Sequence, residues 1–187
     1  IASEDRRRAA SVVEDRQEDL RRPVVLDVVV ERPPEPLFVV LRHELAGPDL
    51  SGTDDLLGLL ELARNEPAPW VFPYWGEPGP SGVDTARRLG ALGAAGDLFA
   101  DGSIGSHTAC FSESYVDAPG EHGHAYLSAE QVREHVVLCT RAGLQAGFHA
   151  IGDAAVAAVA AGMAAGADEV GEAAFRAAGH RVEHLEL

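Results

Sequence analysis

Two segments constrain this chain more than any others. Gly143-Leu-Gln-Ala-Gly-Phe-His-Ala-Ile-Gly-Asp153 and, further on, His180-Arg-Val-Glu-His184 each read as a buried strand with a histidine at its C-terminal end. From residue 84 onward the pattern runs helix, strand, helix, strand, helix, strand. Such alternation favours a parallel sheet joined by right-handed crossovers. In parallel α/β folds, chemistry gathers at the C-terminal strand ends. Two imidazoles delivered there point to a metal site, because neutral imidazole is a good ligand for zinc and related ions.

The remaining elements follow from local pattern. Residues 3 to 20 read as a surface helix with a thin apolar face, and residues 23 to 30 as a β-branched strand. Arg32-Pro-Pro-Glu-Pro36 must interrupt that strand, since proline fixes φ and donates nothing. A second short strand is expected at 37–41, a turn at Gly47-Pro48, a helix over 56–64 and a short apolar strand over 69–75. Residues 77–82 read as loop, 84–92 as a helix and 96–100 as a strand. A long polar, Gly-rich loop then covers 101–127; loops of that length inside a domain tend to be functional. Ser128-Ala-Glu-Gln131 is a capping box that opens a helix to Arg141, with Gly143 as its stop. A strand over 144–149 follows, then an Ala-rich helix from Gly152-Asp153 to near Gly166, a short helix over 170–178 and a last strand over 181–187.

Composition narrows the classes of function. With 187 residues, 46% hydrophobic and 24% charged, the chain can bury a substantial core and is not a disordered segment. A net charge of −15 argues against a nucleic-acid backbone or an anionic membrane as partner. Cys110 and Cys139 lie far apart and form no C-x-x-C, which fits a reducing, cytoplasmic compartment. No apolar run reaches the length of a membrane span, and no apolar core follows the basic residues near the N-terminus as a secretory signal requires. The chain has no initiator Met and is read as processed or as an internal piece of something longer.

Around the two histidines, several side chains have both a plain and a chemical reading. Asp153 is a natural helix N-cap and also a candidate acceptor to orient His149. Asp97 closes a strand and offers a carboxylate ligand; Asp101-Gly-Ser-Ile-Gly-Ser-His107 is either turn chemistry or an active-site loop. His122 and His124 form an H-x-H in a Gly-rich loop and read as solvated. Cys110 lacks a His-plus-orienter pattern, which makes it a poor nucleophile candidate. No G-x-G-x-x-G or P-loop is present to support nucleotide binding.

Phe99-Ala-Asp-Gly-Ser-Ile-Gly-Ser-His-Thr-Ala109, Gly147-Phe-His-Ala-Ile-Gly-Asp153 and His180-Arg-Val-Glu-His184, in that order, closely resemble three successive motifs of the amidohydrolase superfamily, in the branch called amidohydrolase 3. The likeness covers residues 84 to 187, with little of it in 1–83. It implies an α/β fold of the (β/α)8 TIM-barrel type, present here as a partial barrel of about strands two to six. It implies a divalent metal, zinc, as one or two ions. By the same resemblance His149 is the strand-five ligand and His184 the strand-six ligand. Asp97 stands where the family has a lysine, often carboxylated, and becomes a third metal candidate through its oxygen. His107 stands where an arginine is common; with Asp153 it is a catalytic candidate, while Asp101 and Ser103 are candidate substrate contacts. The family's strand-one H-x-H is expected before this chain and its strand-eight aspartate after it. The implied activity is hydrolysis of non-peptide carbon–nitrogen bonds, such as amides, by metal-activated water. The alternative is a truncated or degenerate relative that folds without a complete metal site. The partner expected is a small amide-like molecule, with neither nucleic acid nor membrane, and a homo-oligomer is left open.

Overall fold

The computed structural model describes residues 28–31, 38–41, 52–65 and 70–185. The helix expected over 3–20, the start of the first strand, the proline cluster, the Gly47-Pro48 turn and the last two residues lie outside these. Strands β1 (Val28–Glu31) and β2 (Phe38–Leu41) pair antiparallel, Val28 opposite Leu41 and Glu31 opposite Phe38. Only six residues join them, too few for the crossover that a parallel pair needs. β2 then pairs in parallel with β3 (Trp70–Val71), after helix α1 (Thr53–Asn65) has carried the chain back.

The second sheet is parallel throughout, in the order β4 (Gly93–Phe99), β5 (Gln145–Ala150), β6 (Arg181–His184). Tyr74 bridges to Gly93 in parallel, so the strand direction carries on from the first sheet to the second. The connections are α2 (Gly79–Leu89) before β4, α3 (Ala129–Ala142) before β5, and α4 (Asp153–Val170) with α5 (Glu172–Ala178) before β6. This is a mixed α/β fold with a parallel sheet, as the alternation required.

Several boundaries differ from the sequence expectation for physical reasons. α2 starts at Gly79, five residues before the expected position, because Pro80 sits in the first turn, where its missing N–H costs nothing. β4 begins at Gly93 and carries a bulge between Ala94 and Leu98. α4 runs past Gly166 to Val170. A Cβ at Gly162 would meet the Ala129 carbonyl oxygen at 2.5 Å, and one at Gly166 would meet Val136 Cγ1 at 2.7 Å. These glycines let α4 lie close against α3; they do not end the helix. The capping box matches expectation: Ser128 Oγ accepts from Gln131 N at 3.3 Å, and Gln131 Oε1 accepts from Ser128 N at 2.9 Å. Gly143 closes α3 in the left-handed conformation.

Period-two alternation divides β5 between two environments. Ala146 and Phe148 face the helices and are wholly buried, with Val132, Val136 and Cys139 of α3 and Val159 of α4 in the same core. Gly147 and His149 take the opposite face, beside Arg181 and Glu183 of β6. The histidine is thereby set apart from the hydrophobic core on the same strand.

Candidate metal centre

His149 reaches the end of β5 because Phe148 before it is anchored in the core. It is 5% exposed. Phe99, its cross-strand partner on β4, lies edge-on with ring centroids 4.8 Å apart. His184 ends β6 opposite Ala150 and adopts a left-handed backbone at φ 68°, followed by Leu185 at φ 54°. That turn out of strand geometry sets the His184 ring 4.6 Å from the His149 ring, centroid to centroid, at an interplanar angle of 70°. The two imidazoles that the sequence places at strand ends thus lie side by side.

The shell around His149 is built from the loop after β4. His149 Nε2 lies 2.9 Å from the Gly102 carbonyl oxygen, which can only accept, so Nε2 carries the proton. A neutral ring then keeps its basic lone pair on Nδ1. Asp101 Oδ1 stands 3.6 Å from the same Nε2. Asp101 is fully buried and its carboxylate accepts three backbone N–H groups: Cys110 at 2.8 Å, Ile151 at 3.0 Å and Gly152 at 2.7 Å.

The other expected site residues are placed as follows. Asp153 is the first residue of α4 and Gly152 is the cap, a correction of one position. Its exposed carboxylate takes the Ser112 amide at 2.8 Å and the Ser112 hydroxyl, and these bonds hold its carboxyl below the usual range. The contacts expected of it toward His149 are made by Asp101 and Gly102. His107 is half-buried within the loop, 3.1 Å from Asp117 and edge-on to Tyr115 at 4.6 Å. Ser103 is exposed and engaged in turn chemistry: its amide donates to Thr108 Oγ1 at 3.0 Å and its hydroxyl meets Ser106 Oγ at 2.8 Å. Asp97 belongs to β4, but its side chain lies outside the described part of the structure. His122 and His124 are exposed. Cys110 and Cys139 are both free thiols. Burial, then Asp101 and Asp153, raises the Cys110 pKa, and burial pushes Cys139 up to about 12, so neither is poised as a thiolate.

Sequence reasoning passed over Arg181 and Glu183. Their side chains stand 2.7 Å apart on the face that bears His149, without the alignment of a hydrogen bond, and the Arg181 guanidinium lies 4.4 Å over the Tyr74 ring. The alternation of Arg181, Glu183 and the flanking residues was the available signal.

The two imidazoles fit two nitrogen positions of a zinc-type shell in both chemistry and proximity. Among the described residues no group of three or more His, Cys, Asp or Glu side chains gathers for a metal.

A model of the family described as "Amidohydrolase family" matches residues 27–187. The chain belongs to the amidohydrolase family. Among curated relatives of this amidohydrolase chain is Protein LONG AFTER FAR-RED 3 of Arabidopsis thaliana, 40% identical over 57 residues, a stretch covering 30% of this chain and 10% of that protein. Among solved structures it is similar to an uncharacterized metal-dependent hydrolase from Pyrococcus furiosus, at 29% identity and a TM-score of 0.46, covering 61% of this chain and 25% of that one. A second, from Pyrococcus horikoshii OT3, is 24% identical with a TM-score of 0.44, covering 62% and 24%. The match thus spans a quarter or less of these relatives' own length. No helix among the described residues is long and apolar enough to cross a membrane.

Proposed function

We propose that this chain is the central part of a metal-dependent hydrolase that cleaves non-peptide carbon–nitrogen bonds of small amide-like molecules. The observation that carries this reading is the approach of the His149 and His184 rings at the ends of adjacent parallel strands, within a chain of the amidohydrolase family. In it, His149 and His184 hold a divalent ion, zinc, as one or two ions, with Asp97 a further oxygen donor. The bound ion supplies Lewis-acid polarisation of the substrate carbonyl and a water of lowered pKa. His149 binds and Gly102 orients it. Phe99 excludes water from one side of the ring. Ser103 contacts substrate through the 101–127 loop, and Asp153 and His107 are the further catalytic candidates. The strands form part of a (β/α)8 barrel, strands two to six, whose other ligands lie on flanking sequence. The protein acts in the cytoplasm, as a monomer or a homo-oligomer.

The test is metal analysis of the longer protein that contains this chain, with turnover of a panel of amides and cyclic C–N compounds before and after chelation. Bound metal and chelator-sensitive turnover are expected. A folded, metal-free protein whose turnover ignores chelator would remove this reading. Absence of both metal and turnover would favour the non-catalytic relative, for which the absence of a third gathered donor among the described residues speaks.

A further inference from the structure

Asp101 sits where no solvent reaches, yet it carries a carboxylate. Burying such a group is costly unless its oxygens are satisfied. Here they are satisfied by backbone alone. Oδ2 accepts from Cys110 in the long loop and from Gly152 at the start of α4; Oδ1 accepts from Ile151, two residues after His149. One side chain therefore ties three pieces of backbone: the end of β4, the middle of the loop and the turn that leaves β5.

The tie is reinforced on both sides. The Cys110 carbonyl accepts from Ala154 N at 3.2 Å and from Ala155 N at 3.4 Å. A Cβ at Gly152 would strike that carbonyl oxygen at 2.1 Å, and a Cβ at Gly102 would strike Thr108 Oγ1 at 2.0 Å. The Gly102 peptide is thus wedged between its own loop and the Asp101 anchor. Its carbonyl is the group that accepts from His149 Nε2. Asp101 Oδ1, 3.6 Å from that nitrogen, adds a negative charge on the same side of the ring.

We infer that Asp101 is the positioning residue of this site: its buried carboxylate fixes the Gly102 carbonyl and the Ile151-Gly152 turn, and so holds the His149 imidazole in one tautomer and one orientation. It acts through the backbone and touches no substrate. This rests on the reading of His149 as a ligand, because a ligand nitrogen must keep its lone pair while the other nitrogen is held as a donor. It gives Asp101 a different part from substrate contact, one that its full burial requires.

The test reads the ring itself in the metal-free chain. Long-range proton–nitrogen correlation on nitrogen-15-labelled protein distinguishes Nε2–H from Nδ1–H in His149. The wild-type chain is expected to show the Nε2–H tautomer alone. Asp101→Asn places an amide donor against backbone donors; the variant, folded by circular dichroism, is expected to show a tautomer mixture at His149. Cobalt titration is done on the longer protein of the proposed reading, with and without the same substitution, and is expected to show ~10–100-fold weaker binding in the variant. If Asp101→Asn does not fold, Gly102→Ala leaves the carboxylate and displaces the accepting peptide, and is read in the same way. An Nδ1–H ring in the wild type, or an unmoved His149 signal in either folded variant, overturns the inference. If the tautomer responds as expected but cobalt does not bind even the wild type, the positioning stands and the hydrolase reading fails. If cobalt binds both proteins equally with the His149 signal unmoved, the hydrolase reading survives and Asp101 is only a loop staple.

Discussion

The His149 and His184 rings meet edge to face with centroids 4.6 Å apart, although 34 residues of chain lie between them. Parallel pairing brings their backbones alongside, Ala150 opposite His184, and the left-handed turn at His184 swings the second ring to the first. Loss of either ring should leave a donor set too small for tight binding. On the proposed reading, His149→Asn and His184→Asn are each expected to lower metal affinity by at least the ~10–100-fold that loss of an outer-shell partner costs, with turnover falling in step. Metal content by mass spectrometry and rates at saturating metal check this; full metal content in either variant would count against a shared site.

Gly162 separates two accounts of α4. Helix propensity alone says that Gly162→Ala should stabilise by about 1 kcal/mol. The close approach to Ala129 and Val132 says that the added methyl cannot be housed, at a cost of ~1–3 kcal/mol. A lower melting temperature is expected. A rise would mean that α3 and α4 stand further apart than described.

Phe148 is wholly buried, with the His135 ring edge-on at 5.7 Å. Phe148→Ala is expected to cost about 3–5 kcal/mol in denaturant unfolding. Because the same strand carries His149, metal binding should weaken with it.

One buried histidine, His135, and one half-buried, His180, make stability depend on pH. His180 Nδ1 accepts from Ala146 N at 2.9 Å and its Nε2 meets Thr140 Oγ1 at 2.8 Å. His135 Nδ1 accepts from Gly79 N at 3.1 Å and its Nε2 donates to Ala94 O at 2.7 Å. Both rings must be neutral to accept. Burial, and then the proximity of His135, lowers the His180 pKa to about 4; burial lowers that of His135. An unfolded histidine titrates near ~6.5, so the unfolded chain takes up the proton first. Their contribution is complete above pH ~6.5 and is lost as pH falls toward about 4. Unfolding free energy measured across that window should decline, and His180→Gln should flatten the decline. An equal slope in the variant would assign the acid sensitivity elsewhere.

Ser128→Ala removes the acceptor for Gln131 N at the start of α3. About 1 kcal/mol of stability should go with it, read as a lower midpoint in denaturant unfolding. An unchanged midpoint would mean that the Ser128 cap contributes nothing to α3.

By itself the sequence determined the elements whose signals are local. Capping chemistry marks α3 between Ser128 and Gly143, period-two and apolar runs mark β5 and β6, and helix–strand alternation makes their sheet parallel. It also marked His149 and His184, because strand-end position is a local property and the parallel sheet then makes the two neighbours. Only the tertiary structure decided what depends on contacts between distant segments. Gly166 looks like a helix stop and is a contact, because the face of α3 that presses on it is far away in sequence. Asp153 looks like the partner of His149 and takes Ser112 instead, while Asp101, fifty residues before Ile151, takes its place. A hydrogen bond that a buried carboxylate accepts from a backbone N–H leaves no trace in the partner's residue type, since every residue but proline offers the same donor. That is why the two strand-end histidines could be read from the chain and the buried carboxylate beside His149 could not.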